Sequence, residues 1–268
     1  MTSQPDLYNT SYGNYERDVY REVRIETYGE DFGQTSWVTT EESHDIPRRL
    51  ELRPSCSVLE IGSGSGRYAL YVAQAAHCQL VGLDLNTEGV RNASALAKRM
   101  KLAAQVSFQQ GDVSRPLPFK DETFDAVFSN DVFCHIPGRS ALLRALWRVL
   151  KPGGRLLFSD ALVVGGTLSN QEIATRSLIG YYLFVPLGEN EKLIAAAGFR
   201  VAEVTDTTGN ATEVAMRWRY AREKRSTELT TLEGKINFDG LQKFLACVQT
   251  LTSERRLLRL VYLAHKTI

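Results

Sequence analysis

Residues 57–67 read SVLEIGSGSGR, and their order decides the fold. The stretch opens as a short run, apolar at Val58, Leu59 and Ile61, that reads as a buried strand. Gly62, Gly64 and Gly66 then end it at alternate positions. Beyond Arg67 the apolar residues recur at helical spacing as far as Ala76. Strand, glycine turn and helix in succession is the setting in which such a loop acquires meaning. Glycine tolerates positive φ and lets a ligand approach the backbone closely. The helix N-terminus behind it offers free N–H groups and the positive end of a dipole, suited to a carboxylate or a phosphate.

The pattern repeats downstream. QLVGLD (79–84), VSFQQGD (106–112), FDAVFSND (124–131) and GGRLLFSD (153–160) read as strands, the last after a Lys151-Pro152-Gly153-Gly154 turn. Helical spacing occupies 89–100 and 141–150 between them. Strands alternating with helices predict an α/β fold, a parallel sheet covered on both faces. Such sheets bind ligands beyond the carboxyl ends of their strands. That rule selects the segments after Ile61, Leu83, Gln109, Ser129 and Ser159.

Further on, 171–183 and 189–197 read as helices and FRVAEV (199–204) as a sixth strand. Residues 211–229 read as one long charged helix, 238–251 as another, and LLRLVYLAHK (257–266) as an apolar closing strand. The two helices are therefore expected as an insertion between the last two strands. The first fifty or so residues form a leader punctuated by Tyr8, Tyr12, Tyr15, Tyr20 and Tyr28. Within it, 18–26 suits a helix, and Thr39 or Thr40 is placed to cap a second one running toward Leu52 across Pro47.

Composition narrows the classes. The 268 residues carry 32 Lys+Arg against 31 Asp+Glu, a balance that argues against a protein gripping nucleic acid by phosphate charge. No run of about 18 apolar residues exists, so no transmembrane helix is expected, and the polar N-terminus lacks the pattern of a signal peptide. Cys56, Cys78, Cys134 and Cys247 are widely spaced, with no CxxC and no Cys/His cluster. Neither a zinc site nor a disulfide framework is expected, no metal is assigned, and a reducing cytoplasmic setting is the default.

The glycine loop has partners. Asp84 ends the second strand about twenty residues on, where a carboxylate can accept both hydroxyls of a ribose. Asp112 follows the third strand, placed to accept from an exocyclic adenine amine. A nicotinamide dehydrogenase would prefer GxGxxG; here the spacing is GxGxG, with Glu60 two positions before the first glycine. A carboxylate there repels a pyrophosphate and suits an ammonium. An adenosine with an amino-acid tail, S-adenosyl-L-methionine, fits all the pieces.

At this point the chain resembles the class I S-adenosylmethionine-dependent methyltransferases, of the type 11-like kind. The resemblance rests on VLEIGSGSGRYAL, VGLDLN, QGDVSRPLPF, FDAVFSNDVFCHIP and LKPGGRLLFSD, in family order across about residues 55–160. It implies a Rossmann-like seven-stranded sheet whose last strand is antiparallel. It implies that Glu60, Gly62, Ser63, Gly64 and Gly66 line the methionine and ribose part, that Asp84 holds the ribose, that Leu85 meets the adenine face and Asp112 and Val113 its edge, and that Asn130 lies near the methionine tail. The chain reads Ser129-Asn130-Asp131-Val132-Phe133 where base and glutamine methylases typically carry an Asn/Asp-Pro-Pro-aromatic motif, which counts against those substrates.

The leader segment TYGEDFGQTSWVTTEE is similar to the N-terminal lid of small-molecule methyltransferases, namely the sarcosine/dimethylglycine and phosphoethanolamine N-methyltransferases. This implies a lid over 1–52 and a methyltransferase domain over 53–268, with the helical insertion at about 207–253. Gln34, Ser36 and Trp37 are then expected over the cofactor, and Tyr15 or Tyr20 to close the active site. His135, just beyond the fourth strand, is the candidate base, with Tyr15 as a second catalytic candidate. Arg176, Tyr181, Tyr182 and Trp218, with Tyr20, are candidate acceptor-binding residues, and Phe184, Arg217 and Tyr220 extend that set.

The expectation is methyl transfer to a small-molecule acceptor, an amine first, with S-adenosyl-L-homocysteine as product. O- or C-methylation of a natural-product intermediate is the alternative, and a methyltransferase-like subunit without chemistry is another. No nucleic acid or membrane partner is expected, and the chain is expected as a monomer or homodimer.

Overall fold

The computed structural model describes residue 10, residues 12–33 and residues 35–267. Its centre is strand β1 (Ser57–Ile61), flanked by β2 (Gln79–Asp84) and β4 (Phe124–Ser129), with β3 (Val106–Gln110) outside β2. β5 (Leu150–Val164) follows β4. The closing strand β8 (Leu257–Lys266) runs antiparallel between β5 and β7 (Phe199–Asp206), giving the order β3-β2-β1-β4-β5-β8-β7. A two-residue strand β6 (Val185–Pro186) pairs beside β5 and is too short to have been read from the pattern. The seven-stranded sheet with its last strand antiparallel is as expected.

Strand alternation divides each central strand between two cores. Leu59, Ile61, Val127, Leu156, Phe158 and Tyr262 face one core, with Leu142 and Leu146 of helix α5 (Arg139–Val149) and Ile194 of α7 (Glu189–Ala196). Val58, Phe128, Leu157 and Val261 face the other, against α3 (Arg67–Ala76), α4 (Thr87–Arg99) and α2 (Thr40–Arg49). Both faces are apolar, so the strands read as near-continuous hydrophobic runs. Chain order reverses about β1, with β2 on one side and β4 on the other, and the crevice opens at their carboxyl ends.

Several boundaries differ from the expectation. The Lys151–Gly154 turn is absorbed into β5 as an irregularity: pairing steps from Phe124↔Leu150 to Ala126↔Arg155, and Gly153 takes φ 76°. The expected helix over 171–183 stops early, as α6 (Asn170–Arg176): the chain turns through 177–179 and is then tied to the turn beyond β4. There Leu183 N donates to Cys134 O, and Tyr181 O meets His135 Nδ1. The long helix over 211–229 is two helices, α8 (Thr208–Glu223) and α9 (Ser226–Glu233), followed by α10 (Lys235–Ser253). The break lies at Lys224 and Arg225, whose side chains reach Glu26, with Arg225 also reaching Glu22, on α1 (Asp18–Tyr28). In α2, Thr39 and Glu42 form a capping box, and Pro47 is accommodated inside the helix.

The insertion does not stand apart from the leader. Val19, Tyr20, Val23 and Tyr28 of α1, with Trp37, share one buried cluster with Val214 and Trp218 of α8 and Phe238, Leu241 and Phe244 of α10. Among the described residues, no helix is long and apolar enough to cross a membrane.

Candidate functional site

A cavity of about 580 Å³ opens at the carboxyl ends of β1, β2, β3 and β4. Its floor is the glycine loop. Gly64 sits at φ 49°, and a Cβ built on it would lie 2.6 Å from the Tyr12 hydroxyl; a Cβ on Gly62 would run into the Val132 side chain. The two positions therefore exclude side chains on conformational and steric grounds. Gly66 lies behind the loop, at the start of α3 and against Phe108 and Ala93, away from the cavity wall.

Asp84 stands beside the loop. Its Oδ2 accepts from Gly64 N at 2.7 Å and its Oδ1 from Asn86 N at 2.7 Å. Burial nevertheless raises its carboxyl above the ordinary range, against these two bonds. Each oxygen keeps a second lone pair for a hydroxyl donor. Leu85 next to it lines the cavity while 67% exposed, a large apolar side chain on the cavity wall. Asp112 and Val113 form the opposite edge. The Ser114 hydroxyl and N–H both donate to Asp112, at 2.6 and 2.9 Å, and hold its carboxyl low.

Three buried polar atoms around the loop lack a partner among the described residues: Glu60 Oε2, Ser63 Oγ and Asn130 Nδ2. Buried polar atoms are normally paired. An orphaned acid, hydroxyl and amide together fit the ammonium and carboxylate of an amino-acid ligand. Ser63 and Asn130 are in the cavity wall; Glu60 is 1% exposed and backs the loop. Burial first, then the nearby Asp84 charge, push the Glu60 carboxyl well above its usual range. The residues present thus fit S-adenosylmethionine: an adenosine cradle at Asp84, Leu85, Asp112 and Val113, and an amino-acid end at the loop.

His135 closes a short 3₁₀ turn, Phe133–His135, beyond β4. Its Nδ1 lies 2.9 Å from Tyr181 O, and its ring centroid is 4.5 Å from that of Tyr182. A carbonyl accepts only from N–H, so Nδ1 carries the proton and the neutral ring has its lone pair on Nε2. Burial, the largest cause, lowers the imidazole below its ordinary value. His135 and Tyr181 both line the cavity, with Val132, Ile136 and Pro137. Neighbouring Cys134 is buried, its thiol pushed up by burial, and it donates to Asp131 O rather than facing a reactant.

Other expected site residues form the packing behind the wall. Ser36 is at the cavity, its Oγ 3.2 Å from the Tyr68 hydroxyl. Trp37 is not: its ring packs on Trp218 and Phe244, and its N–H donates to Asp131 Oδ2 at 2.9 Å. Tyr15 sits behind Arg67, accepting from its Nε. The Tyr20 hydroxyl donates to Glu233 Oε2 at 2.6 Å. Tyr15, Tyr20 and Trp218 border a separate void of about 30 Å³. Arg176 and Tyr182 also stand outside the cavity lining. Tyr20, Trp37, Trp218 and Tyr182 belong to the cluster in which α1, α8 and α10 bury apolar and aromatic bodies against one another, whereas Tyr15 is held between Arg24 and Arg67, and Arg176 among the Tyr182, Phe244 and Trp37 rings. Gln34 lies outside the described residues.

Tyr12, Thr35, Arg67, Tyr68 and Asp131 line the cavity without having been singled out. Arg67 and Asp131 had a signal, as immediate neighbours of Gly66 and Asn130. Tyr12 had none beyond a tyrosine-rich leader. Asp131 takes φ 57°, an uncommon conformation for a non-glycine residue at the turn that carries Asn130. Among the described residues, no group of His, Cys, Asp and Glu is arranged to hold a metal ion.

Known proteins share this arrangement. A family model described as "Methyltransferase domain" matches residues 59–158. Phosphoethanolamine N-methyltransferase of Triticum aestivum is 31% identical over 215 residues, covering 80% of this chain and 41% of that protein. The chain thus spans about two fifths of the length of the phosphoethanolamine enzymes it matches. O-methyltransferase resE of Aspergillus sclerotiorum is 30% identical over 185 residues, 68% of this chain and 69% of that one. Among solved structures, a putative sarcosine dimethylglycine methyltransferase from Galdieria sulphuraria superposes with a TM-score of 0.77 at 19% identity, covering 84% of this chain and 82% of that one. That last likeness is one of fold. Sequence identity sustained across two thirds of both partners, on a sheet whose switch point holds this loop, makes the chain a member of the S-adenosylmethionine-dependent methyltransferases.

Proposed function

We propose that this chain methylates a hydroxyl group of a small-molecule acceptor, with His135 as general base. The observation that carries this reading is the bond between His135 Nδ1 and the Tyr181 carbonyl, which sets the tautomer with its lone pair on Nε2. S-adenosylmethionine, when bound, supplies a methyl group on a positively charged sulfur, a good leaving group. Asp84 would hold the ribose, Leu85, Asp112 and Val113 the adenine, and Ser63, Asn130 and the glycine loop the amino-acid end. His135 Nε2 takes the proton from the acceptor oxygen as that oxygen becomes a nucleophile. Val132, Ile136, Pro137 and Tyr181 exclude water and position the acceptor. The 1–52 segment and the 207–253 insertion act together as the cap on the 53–268 catalytic domain.

The sequence favoured an amine. The cavity argues for a neutral acceptor, because its described carboxylates are already committed. Asp84 and Asp112 line the cavity and are assigned here to the adenosine. Asp131 binds Trp37 N, Ser159 Oγ and Arg259 Nε. None is left to meet an ammonium. An amine acceptor is the second reading, favoured by the 31% identity to the wheat phosphoethanolamine enzyme. The test is incubation with S-adenosylmethionine and parallel panels of phenols, alcohols and amines, read by product mass. Methylated phenols or alcohols support the proposal; methylated amines alone establish the second reading.

A further inference from the structure

Five arginines are buried in this fold. Arg24, Arg139, Arg222 and Arg259 each lie within ion-pair distance of a carboxylate: Asp31, Asp160, Glu233 and Asp131. Arg176, at the end of α6, has no such partner among the described residues. It is 1% exposed, and its Nε and Nη1 find no acceptor. Three rings surround it instead, with Cζ 4.5 Å from the Tyr182 centroid, 4.7 Å from Phe244 and 5.8 Å from Trp37. Ring faces stabilise a cation without neutralising it.

Tyr182 has a second neighbour, His135, at 4.5 Å between centroids. The guanidinium, the phenol and the imidazole therefore lie in one sequence of contacts. The segment that carries Tyr182 is pinned to the His135 turn on both sides, by Tyr181 O against His135 Nδ1 and by Leu183 N donating to Cys134 O. The stack is thus built into the backbone.

The other charges facing His135 are Asp131 beyond β4 and Asp160 on β5. Each is held in an ion pair, Asp131 with Arg259 and Asp160 with Arg139. A partner of opposite sign weakens the field that each carboxylate exerts at the ring. Arg176 is the one of these three charges with no ion-pair partner among the described residues. We propose that Arg176 is a positioning residue that, across Tyr182, keeps His135 unprotonated and ready to accept a proton.

The inference rests on the reading of His135 as base, and it extends that reading by assigning what prepares the base. The direction of the His135 titration is consistent with this: burial lowers it most, the Tyr181 carbonyl raises it, Arg176 lowers it, and Asp131 and Asp160 raise it by less.

The experiment is an NMR titration of ring-labelled His135 in the whole chain, assigned among the four histidines with His135→Gln. It is repeated in Arg176→Met and Arg176→Lys, with the acid limb of turnover measured on the same proteins. The expected result is an upward shift of the His135 midpoint in Arg176→Met, a midpoint near that of wild type in Arg176→Lys, and an acid limb that follows. A midpoint in Arg176→Met equal to wild type overturns the proposal. If Arg176→Met does not fold, Arg176→Gln removes the charge with a polar side chain and is read the same way. A midpoint that rises while the acid limb stays still supports the action of Arg176 on His135 and refutes the base reading on which its purpose rests.

Discussion

Arg259 Nε lies 2.9 Å from Asp131 Oδ1, in an ion pair whose side chains are 1% and 5% exposed. The pair ties together distant parts of the chain. Asp131 also accepts from Trp37 N in the leader and from Ser159 Oγ on β5. Arg259 reaches Glu42 on α2 at 2.6 Å and Thr207, at the start of the insertion, at 2.7 Å. The leader, the insertion and the turn that carries Asn130 thus meet at one buried junction. Removing one partner of a buried pair leaves the other charged and unsolvated, which typically costs about 3–5 kcal/mol. Arg259→Met is therefore expected to lower stability by that order in a denaturant titration. Amide exchange should rise first in residues 35–45, the segment the junction holds down. Exchange that rises uniformly instead would mean that the pair stabilises the whole fold and not this docking.

Asp84 is the residue whose loss should weaken the cofactor most. It orders the loop through Gly64 N and the next turn through Asn86 N, and on the proposed reading its remaining lone pairs would take the ribose hydroxyls. Asp84→Ala is expected to weaken S-adenosylmethionine binding more than about ten-fold, or roughly 1.4 kcal/mol. Asp112→Asn should weaken it less, because Asp112 is largely open to water and one of its oxygens already serves Ser114. Calorimetric titration of both variants checks the order, and the reverse order would remove Asp84 from the ribose site.

His135 gives a separable signature. His135→Ala should leave cofactor affinity within about two-fold of wild type and slow turnover by about 10²–10⁴, the usual range for a positioned general base. Its proton affinity is lowered from the ordinary histidine value of 6.5, so the reactive neutral form persists as pH falls past that value. The acid limb of the rate profile is therefore expected below pH 6.5, and His135→Ala should lack it. An acid limb that survives in the variant would assign the proton to another group.

What was legible in the sequence was local. The glycine loop, Asp84 and Asp112 follow from strand ends, because a strand, its turn and the next helix are contiguous. The alternation of periods gave the parallel sheet, and the antiparallel last strand came with the family resemblance; the strand order is read from the structure. The cap was harder. Trp37, Trp218, Tyr20 and Arg176 carry the composition of a binding wall, aromatic beside cationic, and a core packed from distant helices uses the same residues. Tyr20 meets Glu233 across 213 positions of chain, and no spacing rule connects them. The break at Arg225 was hidden for the same reason: it answers to Glu22 and Glu26 on α1, not to any helix breaker nearby. Tyr12 reached the cavity from a leader without periodicity.

Glu60 links the site to stability. Its carboxyl is 1% exposed, with Oε2 unpartnered among the described residues, and burial raises its proton affinity well above the usual 4.5. In the unfolded chain the same group ionises near that value. As pH rises from about 4.5, the unfolded state releases this proton while the folded state retains it, so the folded state binds more protons and loses stability. The contribution is present in full below the unfolded value and declines until the folded group ionises too. Glu60→Gln keeps the shape and cannot titrate. Without cofactor, the variant is therefore expected to lose less stability than wild type between pH 5 and pH 7.5, as read from denaturant midpoints at each pH. Subtracting the two proteins removes every other titrating group common to both. Parallel pH dependences would mean that Glu60 is ionised in the folded state, and that a cation or a water already reaches its second oxygen behind the glycine loop.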